Sequence, residues 1–145
     1  MPRFGMTNLQ PSFGRVFLAS NNWIEIELAE GLELSLDHCY ELERIFRAKV
    51  NEPFVLLGHC RYPNELQFSA KARISTFPGC AAVAIVVHDD ACAASAADVI
   101  AVAEIQQGNV RAFSDEASAR AWLESELKLA RNKRVIPIQL RSEHF

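Results

Sequence analysis

Apolar and polar residues alternate early in the chain, and this pattern predicts a β-hairpin. In the segment NWIEIELAE, every second residue from Ile24 to Leu28 is apolar, which is the two-residue period of a half-buried strand. The segment RVFLAS precedes it and predicts the partner strand. Asn21 and Asn22 separate the two segments, and such residues favour the tight turn of a hairpin.

Four later segments carry helical signals, and the short apolar runs between them predict strands. In residues 35–50, apolar side chains recur every three or four positions, which is typical of one buried helical face, and Ser35 is the candidate N-cap. Further helices are predicted from Pro63 and Asn64 to Ile74, over 91–107, and over 114–131 with Ser114 as the cap. The predicted strands are FVLLG at 54–58, AAVAIVV at 81–87 and VRAF at 110–113.

Strands that alternate with helices indicate an α/β domain. The order β-β-α-β-α-β-α-β-α predicts a mixed, mainly parallel sheet of four to five strands with about four packed helices, entered by an antiparallel hairpin. The late segment RVIPIQL, at 134–140, is a candidate edge strand, because Pro137 excludes a central position in a sheet.

The length of 145 residues is that of a single domain. Residues 1–14 contain two prolines and two glycines without clear periodicity, and they predict a loosely ordered N-terminal arm. The domain itself is predicted over residues 15–130. Residues 131–145 form a basic C-terminal extension, which includes the candidate edge strand.

The charge of the chain argues against nucleic acid as a partner. The formal net charge is −3, whereas nucleic-acid-binding domains are normally basic. The distribution is uneven, because five basic residues and one acidic residue lie from Lys128 onward. This basic segment could contact an acidic partner or the acidic body of its own domain.

The sequence predicts a cytoplasmic protein without a membrane span. No apolar run reaches the ~18 residues of a transmembrane helix, and the N-terminus lacks the features of a signal peptide. The four cysteines form no Cys-x-x-Cys motif, and reduced thiols are the default in a cytosol. No cofactor is expected, since there is no glycine-rich phosphate loop and no close pair of metal ligands.

Two segments resemble the STAS-like superfamily, in particular the SpoIIAA-like proteins that include the anti-sigma-factor antagonists and are related in fold to SEC14 domains. They are AVAIVV (82–87) and NVRAFSDEASARAWLESEL (109–127), and the resemblance extends over residues 15–130. It implies a single SpoIIAA-like domain that acts by regulation or binding and not by catalysis. In the antagonists a partner kinase phosphorylates a serine in the turn that corresponds to GHCRYPNEL, but this chain has no serine or threonine there before Ser69.

The candidate site lies at the carboxyl ends of two neighbouring strands, where α/β sheets usually bind ligands. After the FVLLG strand it comprises His59, Cys60, Arg61 and Tyr62; after the AAVAIVV strand it comprises His88, Asp89 and Asp90. Parallel strand ends share one edge, so Cys60 could meet His88, oriented by an aspartate, as in a cysteine hydrolase. The alternative is a half-buried thiol beside a polar strand end, with Asp89 or Asp90 capping the next helix.

Three functional hypotheses follow from the sequence. The first is a non-enzymatic, STAS-like regulatory domain that binds a protein partner or associates with itself. The second is a carrier or sensor of a small apolar ligand or lipid, suggested by the SEC14-like side of the resemblance and by the alanine-rich helix over 91–107, whose small side chains leave room beneath it. The third is the hydrolase that would use Cys60 and His88.

Overall fold

The computed structural model of this chain describes residues 7–9 and 13–143, and it describes side chains over residues 13–133. Twelve elements follow one another along the chain. They are β1 (Thr7–Leu9), β2 (Gly14–Ser20), β3 (Trp23–Leu28), β4 (Glu33–Leu34), α1 (Leu36–Lys49), β5 (Phe54–Cys60), β6 (Glu65–Leu66), α2 (Phe68–Ile74), β7 (Cys80–Val87), α3 (Asp90–Ile105), β8 (Val110–Phe113) and α4 (Glu116–Glu143).

The main sheet has six strands in the order β1-β2-β3-β5-β7-β8, and a separate two-stranded sheet joins β4 to β6. The β1–β2 and β2–β3 pairings are antiparallel, whereas the three pairings from β3 to β8 are parallel. The expected mixed, mainly parallel sheet with four helices is therefore confirmed. The sheet has one strand more than expected, which is β1. It lies in the segment predicted to be a loosely ordered arm. Residues 1–6 and 10–12 of that arm lie outside the described residues.

The two faces of the main sheet are covered differently, and strand alternation decides which side chain meets which helix. In β5, Phe54 and Leu56 belong to the core beneath α1 and α2. Val55 and Leu57 point to the opposite face and pack beneath α4. We refer to these as the first face and the second face. Helix α3 packs against α2 and also covers the first face.

Side-chain caps begin three of the four helices, α1, α3 and α4, and one of the three differs from the prediction. Ser35 caps α1 as expected, since its hydroxyl accepts a hydrogen bond from the His38 N–H. Asp89 caps α3, because its carboxylate accepts from the Cys92 N–H at 2.7 Å. The prediction that Ser114 caps α4 is wrong: the Asp115 carboxylate accepts from the Ser118 N–H at 2.8 Å, and a carboxylate also complements the positive end of a helix.

The second helix begins later than the sequence predicts. The chain after Pro63 stays extended and forms β6, and α2 begins only at Phe68. The reason is a long-range tie, because the Asn64 side-chain amide donates to the carbonyl oxygens of Ala29 and Leu32 at 2.8 and 2.9 Å. These bonds hold residues 64–66 beside β4, where the backbone pairs with β4 as strand β6 instead of forming a helix.

The predicted edge strand at 134–140 is wrong, because the backbone there continues α4 to Glu143. Extending an existing helix orders one residue per added hydrogen bond, whereas a new strand needs a free sheet edge on which to pair. Pro137 removes one helical hydrogen bond without ending the helix. Among the described residues, no helix is both long enough and apolar enough to cross a membrane.

Candidate functional site

An apolar cavity of about 110 Å³ lies between the first face of the sheet and the helices that cover it. Its floor is formed by strands β3, β5 and β7 through Ile26, Leu56 and Ile85. Helices α2 and α3 contribute Ile74 and Val99 to the walls. The cavity lies toward the carboxyl ends of the parallel strands, the edge where the sequence places the candidate site.

Gly58 provides part of the space in the cavity. It lies on the first face of β5, two residues after Leu56, and lines the cavity with its backbone. A Cβ atom placed on Gly58 would meet only one atom within 4 Å, the carbonyl oxygen of Ala84 at 3.8 Å. Any larger residue would therefore point its side chain into the cavity, and glycine keeps the space open.

No residue that lines this cavity is an aspartate, glutamate, lysine or arginine. His59 borders the cavity only through its position in β5, because its imidazole lies on the second face against Glu25. The interior therefore has no charge with which to bind an ionic ligand, and apolar contact is its main means of recognition.

Four polar residues line the mouth of the cavity: Cys60, Tyr62, Asn64 and Ser95. The Ser95 hydroxyl donates to the Asn64 carbonyl oxygen at 3.1 Å, and the Cys60 thiol donates to the Tyr62 carbonyl oxygen at 3.3 Å. Both amide hydrogens of Asn64 are engaged by the backbone of the segment after β3. These bonds hold the strand-end loop and α3 together around the opening.

A second polar cluster lies on the second face, between the sheet and α4. Glu25 is only 1% exposed; its Oε1 is 3.1 Å from His59 Nε2, and its Oε2 accepts from Arg120 Nη2 at 2.8 Å. Arg120 Nε also donates to Glu116 Oε2 at 2.7 Å. The cluster connects β3, β5 and α4, and its bonds satisfy a carboxylate that would otherwise be buried without partners.

The structure divides the strand-end residues that the sequence grouped as one site. The His59 imidazole lies on the second face, whereas Cys60 lines the cavity on the first. Arg61 Nε donates to Glu27 Oε2 at 2.5 Å, and this bond raises the pKa of the guanidinium. Tyr62 lies at the cavity mouth.

The residues after β7 do not join that cavity. His88, Asp89 and Asp90 are exposed, and none of them lines the cavity. Asp89 acts as the N-cap of α3, and the hydrogen bond from the Cys92 N–H lowers the pKa of its carboxyl. The candidate role of capping residue, which the sequence left open between Asp89 and Asp90, therefore falls to Asp89.

Cys60 lacks the surroundings of an activated nucleophile. No hydrogen bond joins it to His88, both of which are described residues, and its thiol contacts the carbonyl oxygens of Tyr62 and Cys92. Burial raises the pKa of the Cys60 thiol to about 12, and the neighbouring Cys92 thiol adds to the shift. A reactive cysteine has a lowered pKa, so this environment suppresses the thiolate.

The parts of the site that the sequence did not identify are Gly58, Ser95 and the Glu25–Arg120 pair. Gly58 was visible only as the end of a strand, and Ser95 as one small residue of an alanine-rich helix. Glu25 lies between Ile24 and Ile26, so the alternation assigned it to the polar face of β3 but could not show that α4 buries it. Within the described residues, no group of three potential ligands is arranged to hold a metal ion.

No protein-family profile matches the chain, and no curated protein matches it. Among solved structures, it is similar to the crystal structure of an uncharacterised protein of the DUF3478 family with a SpoIIAA-like fold from Shewanella loihica PV-4. The sequences are 13% identical over 82% of this chain and 92% of that one, with a TM-score of 0.49.

Proposed function

We propose that this protein is a non-enzymatic binding domain that carries or senses a small apolar molecule in the cavity on the first face. The observation that carries the proposal is an uncharged apolar space of about 110 Å³, kept open by a glycine in its floor. Of the three hypotheses drawn from the sequence, the ligand carrier is the one that this geometry favours.

The size of the cavity limits the ligand. An apolar cavity of about 150 Å³ in another protein stays dry and binds benzene. The space here is smaller, at about 110 Å³, so the largest ligand it suits is a single small ring that extends into the mouth. Side chains that line an empty apolar space lack contact partners on that side. An occupant restores the missing contacts, and that gain supplies a driving force for binding.

Methyl NMR with benzene as the probe tests the proposal. We expect saturable shifts in the methyl signals of Ile26, Leu56 and Val99, which line the cavity. The methyl groups of Leu123 and Leu127, packed on the second face, serve as controls within the same molecule. Shifts that do not saturate, or that are equal on both faces, would contradict the proposal.

A cavity-filling variant supplies the matched control. Gly58→Val places two methyl groups and a Cβ in the space that benzene would take, so the saturable shifts should disappear. Gly58→Ala fills less of it and should weaken binding without abolishing it. Unchanged benzene binding in both folded variants would place the ligand elsewhere and refute the assignment of this cavity.

Partner binding at the strand-end edge is the second candidate, and it rests on one exposed aromatic residue. Phe68, at the start of α2, is 69% exposed and follows the loop that forms the cavity mouth. Burial of such a side chain stabilises an interface. If the domain associates with itself here, Phe68→Ser should reduce a dimer fraction measured by analytical ultracentrifugation. The control is Leu129→Ser, which changes a half-exposed residue on α4. A protein that stays monomeric at high concentration argues against self-association.

A further inference from the structure

Three of the four polar side chains at the cavity mouth, those of Cys60, Asn64 and Ser95, already use their hydrogen-bond donors within the protein; the fourth is Tyr62. The hydroxyl hydrogen of Ser95 is directed to the Asn64 carbonyl oxygen, at 3.1 Å. The Cys60 thiol hydrogen is directed to the Tyr62 carbonyl oxygen, and the two amide hydrogens of Asn64 go to Ala29 and Leu32. What these three side chains retain for a ligand is their lone pairs, so they can accept a hydrogen bond but not donate one.

Ser95 is the best placed of these acceptors. It belongs to α3, one residue before Ala96 and four before Val99, and all three line the cavity. Its oxygen keeps two lone pairs while its hydrogen is engaged, so it is fixed as an acceptor at the boundary between the apolar walls and the mouth. Asn64, in contrast, holds the strand-end loop through its side chain and has a structural role.

The missing charges exclude an anionic ligand. A carboxylate needs several donors or a cation, but the cavity has no lysine or arginine in its lining, and with the donors of Cys60, Asn64 and Ser95 engaged, only the single neutral hydroxyl of Tyr62 remains. Burying an ionised carboxylate without such partners is strongly unfavourable. A fatty acid or an anionic lipid is therefore a poor match, both in charge and in size.

We infer that the ligand is a neutral, phenol-sized molecule with one O–H or N–H group, and that Ser95 Oγ accepts a hydrogen bond from that group. This inference rests on the proposed function, because it names the ligand class of the same cavity. The apolar part of the ligand lies over Gly58 and Leu56, and its polar hydrogen points to the mouth. Recognition thus combines apolar contact with a single acceptor that specifies orientation.

Calorimetric titration with phenol, toluene and benzoate tests the inference. Phenol and toluene have nearly the same shape, and they differ by a hydroxyl in place of a methyl group. An apolar cavity without an acceptor would favour toluene by tenfold or more, roughly, because the hydroxyl would be buried unpaired. With Ser95 as the acceptor, we expect phenol to bind at least as tightly as toluene, and benzoate to bind more weakly than either.

Ser95→Ala separates the hydrogen bond from the cavity itself. Alanine is the best helix former, so α3 should remain folded. We expect this variant to bind phenol about three- to tenfold more weakly, the net effect of one lost hydrogen bond, while toluene binding changes less than about twofold. The matched control is Ser125→Ala, an exposed serine of α4 that lies away from the cavity and should leave both affinities unchanged.

The possible outcomes distinguish failure of the ligand inference from failure of the proposed function. If toluene binds and phenol binds more weakly, the cavity remains the binding site and the donor inference is refuted. The inference is also refuted if Ser95→Ala weakens both ligands equally, or if benzoate binds as tightly as phenol. If neither phenol nor toluene binds, the proposed function fails as well, and the inference fails with it.

Discussion

Replacing Gly58 by alanine should stabilise this protein, although most substitutions in a buried strand destabilise. The new Cβ would have its nearest neighbour, the Ala84 carbonyl oxygen, at 3.8 Å, which is ordinary van der Waals contact. The φ angle of Gly58 is not in the left-handed region, so alanine can adopt the same backbone conformation. The substitution therefore adds a methyl group to empty apolar space without strain.

The expected gain has two parts. Loss of backbone freedom in the unfolded chain contributes about 0.4–1 kcal/mol for a glycine-to-alanine change that fits the native conformation. Burial of one methyl group adds about 0.8 kcal/mol. Together they raise the free energy of unfolding by about 1–2 kcal/mol, or roughly 3–7 °C in Tm for a domain of this size.

Urea denaturation followed by circular dichroism measures the change. The midpoint should rise while the slope m stays constant, because the native surface hardly changes. Gly14→Ala is the matched control: there a Cβ would collide with the Glu27 carbonyl oxygen, so the same chemical change should destabilise. If Gly58→Ala lowers the midpoint, the space next to Gly58 is not empty, and the assignment of a cavity there is refuted.

Three further predictions test the surroundings of the cavity. Glu25→Ala should lower the free energy of unfolding, measured by urea denaturation, by about 2–3 kcal/mol. This is less than the about 3–5 kcal/mol expected for a fully buried ion pair, because Arg120 reaches solvent. Glu27→Ala removes one partner of a partly exposed pair and should lower the free energy of unfolding by less than about 1 kcal/mol. Equal losses of stability in the two variants would refute the conclusion that the Glu25 pair contributes more than the Glu27 pair. The pKa of Asp89 is lowered in the folded state, so its stabilising effect is present above the unfolded pKa of about 3.9 and is lost as pH falls through the folded value. The stability difference between the wild type and Asp89→Ala should accordingly shrink in acid, and a constant difference down to pH 2, roughly, would contradict this. Iodoacetamide should alkylate Cys60 far more slowly than free cysteine at neutral pH, as followed by peptide mass spectrometry, because its pKa is raised to about 12; fast alkylation would revive the hydrolase hypothesis.

Local signals made much of the fold predictable. Ser35 and Asp89 cap helices where the sequence places caps, because a capping side chain bonds to a backbone N–H only a few residues away. The strands β5 and β7 follow from their apolar runs for a similar reason, since a strand buried on both faces needs apolar residues throughout. The predicted start of the second helix failed because the bonds of Asn64 reach residues about 30 positions earlier in the chain.

The candidate site was predictable only as a location. The sequence placed a site at the carboxyl ends of the parallel strands, and the cavity mouth lies there with Cys60 and Tyr62. The sequence could not show that His59 turns away to the second face to meet Glu25, or that His88 remains outside. Adjacent residues on a strand point to opposite faces, so which face holds the cavity depends on the helices packed there.

By itself, the sequence determined the five longer strands, the four helices and which residues of a strand share a face, because periodicity, capping and turn signals act between near neighbours. The tertiary structure alone decided what those faces meet. It joined Glu25 to Arg120 across 95 positions by laying α4 over the second face, and it left the Cβ direction of Gly58 empty beneath α2 and α3. Both features depend on how the helices pack on the sheet. Close packing brings together side chains from distant segments, so no single segment of the sequence determines it.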